Sequence, residues 1–386
     1  MSIVLFDPDY SGHHSEYISH LVDFLTENDL QTTYHLVVPP DFKSQFTDIT
    51  RKSEGSENIH WHYLKEEEIE SLENLSMMKR SFVEYRLMCK YAEQLRATTV
   101  HLLYFNTFQL ALAFKRPNFS IRGILFQQYT RMPKNGLKNR LKYYRKWLTT
   151  KAYCLNPRIE RVYILNDSKT VDVLNKKFDT SIFAVLPDPV PIIEPLEGFD
   201  IYGYYNIPSH KKIILHFGTL ANRKGSFEIV DSLQYLNGEH RKGLTILMVG
   251  KPEDESTKNL LEQKISTQTN EDSSLVIMDS KFVSNAQMKS LFNQCYAVLM
   301  PYKNPEASSG ILGHAIASKK PVIITGEGLL KELVEESGNG LFLDRITPRQ
   351  IAKGIEGIDS IGKENSDNEK YLSDHTPYEF AKTVLN

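Results

Sequence analysis

The chain has 386 residues, of which 41% are apolar and 24% charged, and its formal net charge is −2. At roughly 100–200 residues per domain this is too long for one core, so two domains are expected. The balance excludes a mainly disordered, collagen-like or membrane-embedded chain, and the charge carries no polyanion-binding signature, hence no nucleic acid.

Residues 3–6 form a short apolar run that ends in the loop 7–14, followed by Tyr17, Ile18, Leu21, Val22 and Leu25 at helical spacing. This start has no basic stretch and meets Asp7 and Asp9 too early for a signal peptide, so a cytoplasmic protein is expected. Further apolar runs at 35–38, 100–105, 123–126 and 162–165 are separated by helical patterns such as 82–95. Short continuous runs alternating with amphipathic helices mean strands buried on both faces, hence a parallel α/β sheet.

The alternation pauses at 186–208, where Pro187, Pro189, Pro191, Pro195, Pro208, Gly198 and Gly203 suit an extended connector with a hinge near 190–208. It restarts with apolar runs at 212–217, 244–249, 275–278, 297–300 and 321–325, with helical segments between them. Thr376 and Pro377 make a good helix start for the final segment. The expected domains are 1–195, on the acceptor side, and 196–370, with a C-terminal helix at 371–386 returning to the first. Cys89, Cys154 and Cys295 are far apart and odd in number, indicating neither a disulfide framework nor a zinc site.

Charge is unevenly spread. Between 117 and 159 there is no acidic residue, while Arg122, Arg131, Lys134, Lys138, Arg140, Lys142, Arg145, Lys146, Lys151 and Arg158 all fall there. Within it, from Arg131 to Lys151, Leu137, Leu141, Tyr144 and Leu148 recur at helical spacing. Such a basic amphipathic segment suits an anionic membrane surface, and the same leucines suit ordinary core packing.

Chemistry concentrates in the second half. A strand runs into Gly218, a short polar loop, Arg223, Lys224 and Gly225, then a helix. Gly218 lets the backbone approach a ligand, and the two cations suit phosphates at a helix N-terminus. The strand ending at Pro301 leads to Glu306 in a loop, and Ser308-Ser309-Gly310 opens a helix. Ligands of open α/β sheets bind outside the carboxyl ends of strands, where these residues stand. In the first half, Gly12-His13-His14 occupies the equivalent loop; the histidines can contact phosphate or acceptor, or simply be exposed.

The Gly-x5-Lys-Gly segment 218–225, the Pro-x4-Glu-x3-Gly segment 301–310 and the ending Thr325-Gly326-Glu327-Gly328 to Gly338-Asn339-Gly340 resemble retaining nucleotide-sugar glycosyltransferases of family 4, glycosyl transferases group 1. The resemblance implies the GT-B fold, two Rossmann-like domains facing each other across a cleft. It implies a sugar moved from a nucleotide diphosphate sugar, of UDP or GDP type, to a glycan, lipid-linked or other acceptor, with retention. By the same resemblance Arg223 and Lys224 meet the phosphates and Glu306 the donor-sugar hydroxyls, these three being the catalytic set. Gly12, His14, Gly218, Ser309, Gly310 and Ile311 line the donor, with His13 and Gln127 on the acceptor side. Two positions depart from the family: His314 stands where a ribose-binding glutamate is usual, and Gln127 where a histidine is. No Asp-x-Asp metal motif or other cofactor site is assigned, in keeping with a metal-independent transferase. The departures leave an alternative, a catalytically impaired subunit on the same fold that binds or chaperones a partner transferase. A cytoplasmic enzyme, peripheral on the inner face of the membrane if the basic segment meets lipid, completes the expectation.

Overall fold

The computed structural model describes residues 1–10, 12, 14–28, 31–268, 275–304, 309–361 and 368–386. The chain divides into two compact units, Met1–Asp188 with Pro377–Asn386, and Pro189–Thr376.

The first unit holds β1 (Ser2–Phe6), β2 (Thr33–Val38), β3 (Ile59–Tyr63), β4 (Thr99–Leu102), β5 (Ser120–Leu125), β6 (Ile159–Leu165) and β7 (Phe183–Leu186), in the spatial order β3-β2-β1-β4-β5-β6-β7. Each pairing is parallel. Alternate residues of the central strands feed two cores: Val4, Phe6, Val100 and Leu102 on one face, Ile3, Leu5, Leu36 and Ile124 on the other. That double burial is why these strands read as unbroken apolar runs. The helix Pro377–Leu385 lays Phe380, Ala381 and Val384 into the second of these cores, with the Phe380 ring 4.6 Å from Tyr17 on the helix His14–Glu27. The last ten residues therefore belong to the first unit although the chain has passed through the second.

The second unit holds β8 (Lys212–Phe217), β9 (Leu244–Val249), β10 (Val276–Asp279), β11 (Ala297–Met300), β12 (Val322–Thr325) and β13 (Gly340–Leu343), in the order β10-β9-β8-β11-β12-β13, again parallel. The segment expected to be an extended hinge is docked here. The Leu196 and Ile201 amides donate to Ser290 Oγ and Gln294 Oε1, each at 2.8 Å, on the helix Asn285–Gln294. Ile201 and Ile207 are buried in this unit's core.

Strand order reverses between β1 and β4 in one sheet and between β8 and β11 in the other. Outside the carboxyl ends of such a pair an open parallel sheet leaves its ligand crevice.

Candidate active site

In the second unit, both segments singled out from sequence reach this reversal point. Gly218 follows β8 with φ +98°. A Cβ built there would stand 2.8 Å from Lys224 Nζ and 3.8 Å from Ile311 Cδ1, so the three residues meet. Gly250 follows β9, and a Cβ on it would lie 2.1 Å from the Gly218 carbonyl oxygen. The absence of a side chain at Gly250 is what lets the backbone of residue 218 come this close. The Lys303 amide donates to the Arg223 carbonyl at 2.9 Å, stitching the loop to the segment after β11.

A buried brace that sequence reasoning passed over fixes this loop. His216, at the end of β8, has Nδ1 2.9 Å from the Leu299 carbonyl and Nε2 3.0 Å from Ser226 Oγ. A carbonyl only accepts, so Nδ1 carries the proton and Nε2 accepts from the Ser226 hydroxyl. Ser226 Oγ accepts the Ala221 amide at 3.0 Å, tying strand, loop and helix together. Burial holds His216 neutral, at about 4, with the Lys224 charge adding to the effect against the Leu299 hydrogen bond. Its signal in the sequence was a lone polar residue inside the apolar run of β8.

The cations differ in what they do. Lys303 Nζ is occupied by Asn222 Oδ1 at 2.6 Å and Glu228 Oε1 at 2.7 Å. Arg223 Nε is 3.7 Å from Glu253, both side chains half exposed, a loose pair of the kind worth little. Lys224 Nζ lies 5.2 Å from the Tyr302 ring centroid, and no ion pair holds it among the described residues. Ser309 is the extended N-cap of the helix Gly310–Ala317 and makes no side-chain cap bond. Ile311, in its first turn, lies against Gly218, so the positive end of this helix adjoins the Lys224 ammonium. His314, one turn on, is half-buried with its ring 5.8 Å from Phe292. Glu306 and Ser308 lie outside the described residues.

The first unit's reversal point has a different content. Asp7 follows β1 and is fully buried, with His14 Nδ1 2.7 Å from its Oδ2. Burial alone would lower the imidazole, but the Asp7 carboxylate holds it above its ordinary value; burial also raises Asp7 itself. The His14 ring lies 5.4 Å from Tyr104 and stacks at 17° on Phe126, 6.3 Å away. Gln127, next along, is exposed, and its carbonyl accepts from Asn106 Nδ2 at 3.2 Å. His14 and Gln127 therefore share one strand-end cluster. Gly12 adopts φ +65° with open space around it, and His13 lies outside the described residues. Asp7-Pro8-Asp9 is in fact an Asp-x-Asp spacing, contrary to the expectation that the chain has none. Its first carboxylate is spent on His14 and on the Asp9 amide at 3.3 Å. Among the described residues no three His, Cys, Asp or Glu side chains are grouped to hold a metal ion.

Arg131, the first cation of the basic segment 131–151, is turned inward. Its Nε and Nη2 grip Asp167 at 2.7 and 2.8 Å, a two-pronged pair inside the first unit that holds the Asp167 carboxyl below its ordinary value despite burial.

Residues 203–371 match the family model for glycosyl transferases group 1. No curated protein sequence matches the chain. Among solved structures, the chain resembles WaaG, a glycosyltransferase involved in lipopolysaccharide biosynthesis, at 13% identity and TM-score 0.66, covering 100% of this chain and 98% of that one. It resembles Anabaena Alr3699/HepE in complex with UDP-glucose at 14% identity and TM-score 0.64, covering 100% and 98%. It also resembles a UDP-forming α,α-trehalose-phosphate synthase from Burkholderia xenovorans, in complex with glucose-6-phosphate, at 10% identity and TM-score 0.66, covering 100% and 99%. At these identities the likeness is one of fold, the two-Rossmann GT-B arrangement. The group 1 match carries the assignment of a glycosyltransferase domain to the second unit.

Proposed function

We propose that this chain, a glycosyltransferase through its group 1 domain, moves a sugar from a nucleotide diphosphate sugar to a glycan or lipid-linked acceptor, with retention and without a metal ion. The observation that carries the reading is Lys224: an ammonium group free of ion pairs among the described residues, held against Gly218 beside the N-terminus of the helix Gly310–Ala317. A diphosphate fits those charges. Binding it equally well before and during reaction would lower the Michaelis constant only. Charge grows on the diphosphate as the glycosidic bond breaks, and Lys224, Arg223 and the amides of Ser309, Gly310 and Ile311 stabilise that growth, which speeds the chemical step. The departing phosphate takes the acceptor hydroxyl proton on the same face, so no protein base is required.

Glu306 accepts hydrogen bonds from the donor-sugar hydroxyls, and His314 meets the ribose with one donor or acceptor per ring nitrogen. Gly12 and His14 serve the donor, His13 and Gln127 the acceptor. The Anabaena protein's complex with UDP-glucose supports UDP as the first nucleotide to try, and the Burkholderia synthase's glucose-6-phosphate supports a sugar acceptor. A thermal-shift series with UDP, GDP and their sugars tests the reading, since ligand at 100 times its dissociation constant stabilises by about 2.7 kcal/mol. It should be paired with release of nucleotide diphosphate from the sugar in the absence of acceptor. A chain that gains no stability from any of these and releases none does not have this function.

A further inference from the structure

The helix Gly136–Cys154 is apolar on two opposite sides. Tyr143, Thr150 and Tyr153 are buried against the first unit. At 3.6 residues per turn, Leu137, Leu141, Tyr144 and Leu148 line up on roughly the opposite side. They are 85%, 76%, 60% and 58% exposed, so core packing, which the sequence left open for these leucines, does not account for them. The stripe continues past the helix end to Leu155, 70% exposed. Beside it stands Phe114, 71% exposed, at the end of the helix Gln109–Phe114. Asn156 fixes that neighbourhood, donating from Nδ2 to the Leu112 carbonyl at 2.8 Å and to the Lys115 carbonyl at 2.9 Å. A cleft of about 200 Å³ opens there, lined among others by Phe114, Lys115, Arg116 and Leu155.

Cations flank the stripe on both sides. Arg145, Lys138 and Lys142 follow one edge, Arg140 and Lys151 the other, all exposed. No acidic residue interrupts them between 117 and 159. An ordinary solvated helix face does not carry a row of leucines, and a purely electrostatic site does not need one. A row of exposed apolar side chains between two rows of cations matches the depth profile of an anionic bilayer, acyl chains flanked by phosphates. No helix of the described residues is long and apolar enough to cross a membrane, so the contact is one of lying on the surface.

We propose that this face of the first unit docks on an anionic lipid bilayer, with Leu137, Leu141, Tyr144 and Leu148 in the interface and Lys138, Lys142 and Arg145 on the headgroups. Arg131, spent on Asp167, takes no part. Docking needs neither nucleotide nor turnover, so its failure and that of the proposed transfer are read separately.

The full chain is co-sedimented with phosphatidylcholine vesicles, with and without phosphatidylglycerol, at low and high salt. Binding should require phosphatidylglycerol and fall with salt. The triple variant Lys138→Glu, Lys142→Glu, Arg145→Glu should bind at least fivefold more weakly for each cation lost. Leu141→Glu with Leu148→Glu should abolish binding while the nucleotide thermal shift and the melting temperature stay at parental values, because both side chains are exposed. A parent that ignores anionic vesicles at low salt overturns the proposal, as does a triple variant that binds like the parent. So does a chain that self-associates through the stripe without binding lipid, the leucine variants then turning monomeric.

Discussion

At the carboxyl ends of β1 and β4 the first unit packs His14, Tyr104 and Phe126 ring against ring over a buried Asp7. At the end of β8, beside the reversal point, the second unit instead brings Gly218 backbone to backbone against Gly250, which follows β9, with Lys224 Nζ beside Gly218. The topological position is the same in both sheets. One holds an aromatic wall around an internal His14–Asp7 pair; the other holds a close backbone approach at Gly250 and a Lys224 ammonium with no ion pair among the described residues. The first can shape what lies on it but has little net charge to offer a phosphate. The second is built for close approach of an anion. Changes at the first should therefore appear chiefly as lost stability, and changes at the second as lost nucleotide binding.

Stability should suffer most from loss of the buried Asp7–His14 pair. Asp7→Ala leaves His14 without its buried partner, and removing one member of a buried pair costs about 3–5 kcal/mol. Trp61 and Trp147 are the chain's two tryptophans and both lie in the first unit, so tryptophan fluorescence follows that unit's unfolding. The urea midpoint by fluorescence should fall sharply while the nucleotide thermal response of the second unit persists. An unchanged midpoint would mean the pair is not structural.

Next comes acid. His216 sits near 4 in the folded chain against about 6.5 unfolded, so the native state binds fewer protons between those values. Its contribution is complete above pH ~6.5 and is lost as pH falls toward 4, by roughly 3 kcal/mol in all. His20 and His35, also near 4, and His101, near 3, add acid lability in the first unit, all mainly through burial. The test is therefore local: hydrogen exchange of 213–226 should quicken between pH 7 and 5 once corrected for intrinsic rates, and His216→Gln should flatten that dependence. His14 runs the other way. Its raised value stabilises below about 6.5 and is lost as pH rises through the folded value.

Much of this was legible in the sequence, and for one reason. Central strands such as β8, β9 and β11 are buried on both faces and so read as unbroken apolar runs. Among the edge strands, β10 was read as the run 275–278, whereas the equally exposed β3, β7 and β13 were not: Ile59-His60-Trp61-His62-Tyr63 alternates, and Gly340 to Leu343 looks like a loop ending. Gly218, Lys224 and Ile311 lie together, and so do His14 and Gln127; the resemblance names all five, and no spacing in the sequence joins them. His14's buried partner was not foreseen, because Asp7 read as loop polarity, and neither was the His216 brace, because its partners Ser226 and Leu299 are ten and eighty-three residues away. Pairings across a sheet leave no local pattern.

Lys224→Met tests the second unit's strand end directly. Hydrogen bonds to a charged group are worth about 1.5–3 kcal/mol, so nucleotide diphosphate affinity should fall between roughly tenfold and 150-fold. The melting temperature without ligand should barely move, since no ion pair among the described residues is lost. Calorimetric titration with UDP measures the first and a thermal melt the second. A variant that binds as the parent does would remove Lys224 from the phosphate site and with it the central argument for the function.

The smallest effect comes from the glycines, and it isolates what close approach means. Gly12 and Gly218 both have positive φ, +65° and +98°. An alanine at either must hold a left-handed backbone, at about 1–2 kcal/mol, less what the stiffer unfolded chain returns. Gly12→Ala meets nothing within 4 Å, so backbone strain is its whole cost: about 1 kcal/mol in the fluorescence transition, with at most a slight loss of nucleotide binding. Gly218→Ala adds a methyl 2.8 Å from Lys224 Nζ, a flexible tip that can swing away. Its fold therefore survives, but the ammonium is displaced and the methyl stands where an anion would sit. Nucleotide affinity should fall well beyond what Gly12→Ala produces, at comparable stability. Equal losses of affinity from the two alanines would mean that both sheet ends grip the phosphate, and the contrast between the aromatic wall and the Lys224 end would fail.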